Sequence, residues 1–95
     1  MPDITITVKS FATFRDVMDR VFSMTLPPGT TVNILLLELI NRYPGLSDLM
    51  FASPGTLRDY VNILKNGRNI FFLNNLETLL DDGDVIALFP PVAGG

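Results

Sequence analysis

The sequence predicts an α+β domain in which one main helix covers one face of a mixed, four- to five-stranded sheet. Three observations carry this. Ile4, Ile6 and Val8 alternate with Thr5, Thr7 and Lys9, the period of two of a half-buried strand. Val32, Leu35, Leu36, Leu39, Ile40 and Tyr43 fall on a single stripe at helical spacing. Asn66-Gly67, between two short strand-like runs, is the signature of a type I′ hairpin, whose central residues both need positive φ. A chain of 95 residues supports one domain, and 47% hydrophobic against 18% charged residues makes it a folded one.

Taken in order, Ile4 to Phe11 reads as the first strand, with Phe11 on the parity of Thr5, Thr7 and Lys9 and so on the face away from the core. Ala12 to Arg20 reads as a short helix with Phe14, Val17, Met18 and Val21 on one side. Phe22 to Leu26 is a second strand, closed by Pro27-Pro28-Gly29 because neither proline can donate to a ladder. Thr30 or Thr31 caps the main helix, which runs from Val32 and stops near Tyr43, before Pro44-Gly45. Leu37 lies off the stripe and suggests wide burial of that helix. Leu46 to Asp59 reads as irregular. Tyr60 to Lys65 and Arg68 to Ile70 form the two arms of the hairpin. Phe71 to Leu80 reads as a short helical turn under the sheet, and Asp81-Asp82-Gly83-Asp84 as a solvated turn. Val85 to Phe89 is the last strand.

Two hairpins bracketing a helix, with the first and last strands as central neighbours, is the plan of the ubiquitin-like β-grasp fold. Residues 1–89 are expected to form the domain and residues 90–95 a flexible C-terminal tail. Leu36 and Leu39 should face Ile6, Val8, Ile86 and Leu88 in the core.

Composition excludes much chemistry. The chain has no Cys and no His, so it lacks a thiolate nucleophile, a His base and the commonest zinc ligands. No metal site is expected: Asp81, Asp82 and Asp84 lack the spacing of a calcium loop and no Glu follows them. Seven basic against ten acidic residues, net charge −3, argue against nucleic acid, which needs a basic patch. No apolar run is long enough to span a bilayer, and Met-Pro-Asp-Ile lacks the features of a signal peptide, so the expectation is a cytoplasmic protein.

The chain end has properties no surface loop needs. Pro90-Pro91 sends the backbone out of the sheet extended. Gly94-Gly95 carries no side chain and fits a slot too narrow for a Cβ, leaving an unhindered carboxylate for an ATP-using partner to adenylate.

The ending Asp82-Gly83-Asp84-Val85-Ile86-Ala87-Leu88-Phe89-Pro90-Pro91-Val92-Ala93-Gly94-Gly95 resembles the C-terminal signature of the molybdopterin synthase small subunit (MoaD) family. Val8 to Asp16, Leu26 to Val32 and Lys65-Asn66-Gly67-Arg68 are similar to that family's first strand, helix start and hairpin, so the resemblance covers most of the chain. The related thiamin carriers (ThiS) are typically shorter and usually lack the double proline. The resemblance implies a sulfur carrier and not an enzyme: the Gly95 carboxylate is adenylated by a ubiquitin-activating-type enzyme and converted to a thiocarboxylate. Pro90, Pro91, Val92, Ala93 and Gly94 then thread a channel of the molybdopterin synthase large subunit, where sulfur is delivered. It implies no bound cofactor, with ATP used by the activating enzyme. Archaeal small modifier proteins share the fold and the ending and attach through the terminal glycine to lysines of targets, so carrier and modifier both stay open. A non-covalent β-grasp interaction module is the third alternative. Ser10 and Asn69 stand where many members carry apolar residues, which implies a smaller partner surface here. The 46–59 segment carries nothing transferable.

Strand parity leaves Phe11 and Phe89 together on the sheet face away from the helix, just before the tail, as an aromatic anchor for a partner, with Arg15 as a rim charge. The free protein is expected to be a monomer.

Overall fold

The computed structural model describes residues 2–91. Among the described residues seven strands and two α-helices follow one another: β1 (Ile4–Ser10), β2 (Val21–Leu26), α1 (Val32–Arg42), α2 (Leu46–Met50), β3 (Phe51–Ser53), β4 (Thr56–Leu57), β5 (Asn62–Lys65), β6 (Arg68–Asn69) and β7 (Val85–Phe89). Five of the strands form one mixed sheet in the order β2-β1-β7-β5-β6, and β3 and β4 form a separate hairpin. β1 runs parallel to β7 at the centre, Val8 beside Ile86 and Ser10 beside Leu88. β2 and β5 flank them antiparallel. The predicted β-grasp order and its central strand pair are therefore present.

The core lies between α1 and one sheet face. Val8, Leu35, Leu36, Leu39, Ile86 and Leu88 are wholly buried, and Ile6 is nearly so. Thr31 caps α1, its hydroxyl accepting the Ile34 N–H at 3.3 Å, while the Thr30 hydroxyl donates to the Pro27 carbonyl. The Asn66-Gly67 turn has φ of 52° and 86°, the two positive values its sequence predicts.

Several elements depart from the sequence reading. Ala12–Asp16 is a single 3-10 turn, not a helix to Arg20, and it starts at Ala12 with φ of 52°. Phe14 and Met18 do enter the core, but Val21 opens β2 and is exposed. The 46–59 segment holds α2 and the β3–β4 hairpin, and Leu46, Met50 and Phe51 join the core. Leu37 is 47% exposed, so α1 is buried along its stripe only. Ser10 is fully buried, its hydroxyl donating to the Asp19 carbonyl at 2.8 Å; it belongs to the interior and takes nothing from a partner surface. Residues 71–80 form two 3-10 turns, Ile70–Phe72 and Asn75–Glu77, and of the Ile-Phe-Phe run only Ile70 is buried.

The acidic turn is also more than solvated. Asp84 is buried: one carboxylate oxygen accepts the Asp81 N–H at 2.7 Å and the other accepts from the Asn66 amide at 2.8 Å. Lys65 Nζ lies 3.0 Å from Asp81 and 3.4 Å from Asp84. Burial alone would lower the Lys65 pKa, but hydrogen bonding and charge from Asp81 and Asp84 outweigh it and raise it. Exposed Asp82 accepts the Thr5 N–H at 2.7 Å. This turn thus ties β1, β5 and β7 together at the end of the sheet opposite the tail.

Candidate functional site

Helix α1 covers one sheet face, and the other is open. Along it lie Thr7 and Lys9 of β1, Leu64 of β5, and Val85, Ala87 and Phe89 of β7, all half-buried except exposed Lys9. β1 ends at Ser10, but the backbone N–H of Phe11 still donates to the Leu88 carbonyl at 3.1 Å, which carries the β1–β7 pairing one residue further. That bond sets the Phe11 ring against Phe89. The two rings are stacked, with centroids 4.3 Å apart and planes 9° from parallel.

Arg15 completes the cluster. Its Nε donates to the Ser10 carbonyl at 2.8 Å, and its guanidinium carbon lies over the Phe11 ring, 5.0 Å from the centroid. The 3-10 turn after β1 is what brings Arg15 back over Phe11. Phe11, Phe89 and Arg15, singled out from parity and position, are thus brought together, with both rings half-buried and Arg15 exposed.

The chain leaves this cluster directly. Pro90 is buried and, with Phe89, lines a groove of about 440 Å³ against Ala12, Asn62, Leu64 and Asn69. Pro91 is half-buried and lines a second groove with Thr56, Leu57 and Arg58 from the β3–β4 side. Val92, Ala93, Gly94 and Gly95 lie outside the described residues. Among the described residues no cluster of acidic side chains is arranged to hold a metal ion, and no helix is long and apolar enough to cross a membrane.

The sequence model of the ThiS family matches residues 8–95. The chain belongs to the ThiS family. It is similar to small archaeal modifier protein 3 of Haloferax volcanii, 39% identical over 89 residues that make up 93% of this chain and 96% of the relative. It is also similar to the sulfur carrier protein CysO of Mycobacterium tuberculosis, 36% identical over 69 residues, 70% of this chain and 74% of the relative. The solution structure of small archaeal modifier protein 1 from Methanosarcina acetivorans superposes with a TM-score of 0.83 at 34% identity, covering 100% of both chains. These relatives place this ThiS-family chain among ubiquitin-like β-grasp sulfur carriers and small modifier proteins.

One feature of this chain's surface is not legible in the sequence. Tyr60, Phe71 and Phe72 stand exposed around a groove of about 460 Å³. A Phe-Phe pair reads as an apolar cluster in sequence, and only the 3-10 geometry of Ile70–Phe72 turns both rings outward.

Proposed function

We propose that this chain is a sulfur carrier activated at Gly95 and acting in molybdopterin biosynthesis. A ubiquitin-activating-type enzyme adenylates the Gly95 carboxylate: a carboxylate oxygen attacks the α-phosphorus of ATP and pyrophosphate leaves. Sulfide then attacks the acyl carbon, the acyl–phosphate bond breaks and AMP leaves, forming the C–S bond of a thiocarboxylate. The large subunit of molybdopterin synthase takes up residues 90–95 and receives that sulfur for the pterin precursor. ATP and reduced sulfur are both available in the cytoplasm, where we place the protein. The domain is the bearer of the reactive group and not the catalyst.

The observation that carries this reading is the tail root. Phe89 stacks on Phe11 under Arg15, and the buried Pro90 follows at once. A docking patch thus sits at the base of a segment whose last two residues have no side chains to hinder a narrow channel.

The 39% identity to a small archaeal modifier protein favours a second reading, in which the activated Gly95 acylates lysines of target proteins. The same experiment separates the two. Protein isolated from its host is analysed by mass spectrometry, alongside the chain lacking Gly95. An O-to-S exchange at the C-terminus supports the carrier, and Gly-Gly remnants on lysines of other proteins support the modifier. If the chain lacking Gly95 still forms an acyl-adenylate, activation at Gly95 is wrong.

A further inference from the structure

The three most exposed aromatic side chains of the domain surround one groove. Tyr60 is 73% exposed, Phe71 69% and Phe72 74%. Phe71 and Phe72 meet edge to face, with centroids 5.3 Å apart, and Ile63 and Ile70 form the buried floor below them.

Folding does not account for these rings. The Ile70–Phe72 turn is held by the Asn69 side chain, which accepts the Phe71 N–H at 2.9 Å, and by the burial of Ile70. Neither Phe71 nor Phe72 is needed for that. Tyr60 has φ of 69°, in the left-handed region where Asn or Gly sits at lower cost than a bulky side chain. An aromatic held in an unfavourable backbone conformation and turned to solvent points to a contact that the free domain lacks.

Position and chemistry identify the occupant. Asn62 and Asn69, hydrogen-bonded to each other at 2.9 Å, line this groove and also the groove of Phe89 and Pro90. Leu57 is shared in the same way with the groove beside Pro91. The aromatic groove therefore adjoins both grooves at the tail root. Among the described residues no charged side chain lines it, so it suits an uncharged apolar segment and not an acidic or basic peptide.

We propose that Tyr60, Phe71 and Phe72 form a second anchor for the protein that adenylates Gly95, which lays an apolar segment in this groove while its active site takes the tail. This rests on the activation reading above and adds a docking surface to it. With two anchors beside the root, the partner grips the domain at more than one place and so fixes the direction in which the tail enters.

The test uses the full chain and the adenylating enzyme of its host, with direct binding read by calorimetry and activation read by ATP–pyrophosphate exchange. Phe71→Ser with Phe72→Ser should weaken binding roughly fivefold or more, as expected where side chains carry binding energy. Tyr60→Asn should also weaken binding while leaving thermal stability unchanged or raised, because Asn tolerates the left-handed conformation. Unchanged affinity in both variants, with Phe89→Ala still weakening it, overturns the second anchor and leaves activation at Gly95 standing. Absence of exchange activity in the unaltered chain overturns the activation reading instead. Sedimentation gives the remaining alternative: a dimer that the serine variant converts to monomer makes the groove a self-contact, and the proposal fails.

Discussion

Replacing Phe89 by Ala separates a docking role from a folding role. The ring is half-buried on the open sheet face and stacks on Phe11 at 4.3 Å, with α1 on the far side of the sheet. Its loss removes one aromatic pair, about 0.5–1.5 kcal/mol, together with the buried half of the ring's area, a total below the about 3–5 kcal/mol of a fully buried Phe. In a domain of this size each kcal/mol lowers Tm by about 4–8 °C, so a drop of several degrees is expected. A central anchor of an interface contributes about 1–3 kcal/mol to binding on truncation, or roughly a 5- to 150-fold weaker Kd. Calorimetric titration against the adenylating enzyme, below the Tm of both forms, reads the second quantity; a thermal melt reads the first. A domain that unfolds while its folded fraction binds with unchanged affinity would place Phe89 in the core and remove the interface.

Two further outcomes concern stability. Leu39→Ala, at a wholly buried position of α1, should cost about 2–5 kcal/mol by urea denaturation; a cost under about 1 kcal/mol would mean that the α1 stripe does not pack as described. The Lys65 network should show in alkali. Its folded pKa is raised by Asp81 and Asp84 against the effect of burial, so its contribution is complete below the usual lysine range and is lost as pH rises through the raised value. Asp81 is largely exposed and screened by solvent, so the loss is modest, and Lys65→Met should abolish it in urea midpoints measured across that range. In the same turn Asp84→Asn should cost about 1–3 kcal/mol, because two buried acceptor contacts and a nearby cation are disturbed together. Asp82→Asn should be close to neutral, since the amide oxygen can still accept the Thr5 N–H.

The parts of this fold legible in the sequence are those where one period persists. The α1 stripe keeps helical spacing from Val32 to Tyr43, and β1 alternates from Ile4 to Ser10, so both are found at their places. The β3 and β4 strands have three and two residues, too few for any period, and their segment reads as irregular. Asp84 has the composition of a solvated turn, and only its folding back onto Asn66 and Lys65 buries it. The Phe11–Phe89 stack was legible because strand parity and the parallel β1–β7 neighbours fix it without any loop geometry. The exposure of Tyr60, Phe71 and Phe72 was not, because it depends on backbone angles at a hairpin approach and a 3-10 turn.

A slot that accepts Gly94-Gly95 meets no side chains, so it has little beyond main chain with which to tell one such ending from another. On the proposed reading, selection of the right domain therefore falls to surfaces nearer its body, and those surfaces work only if the tail starts from a fixed point. The fold supplies one. The tail follows β7, an interior strand paired on both edges, parallel to β1 and antiparallel to β5. Phe11 and Arg15 are set by the same strand pair, through the Phe11 N–H to Leu88 and the Arg15 Nε to Ser10. The Phe11–Phe89–Arg15 cluster and the tail root thus share one support, so on the proposed reading a partner that seats Phe89 also sets where the carboxylate arrives, and a small misplacement at the stack would be carried to the reacting end. An edge strand such as β2, bonded on one side only within the sheet, would give the partner the same rings without that alignment.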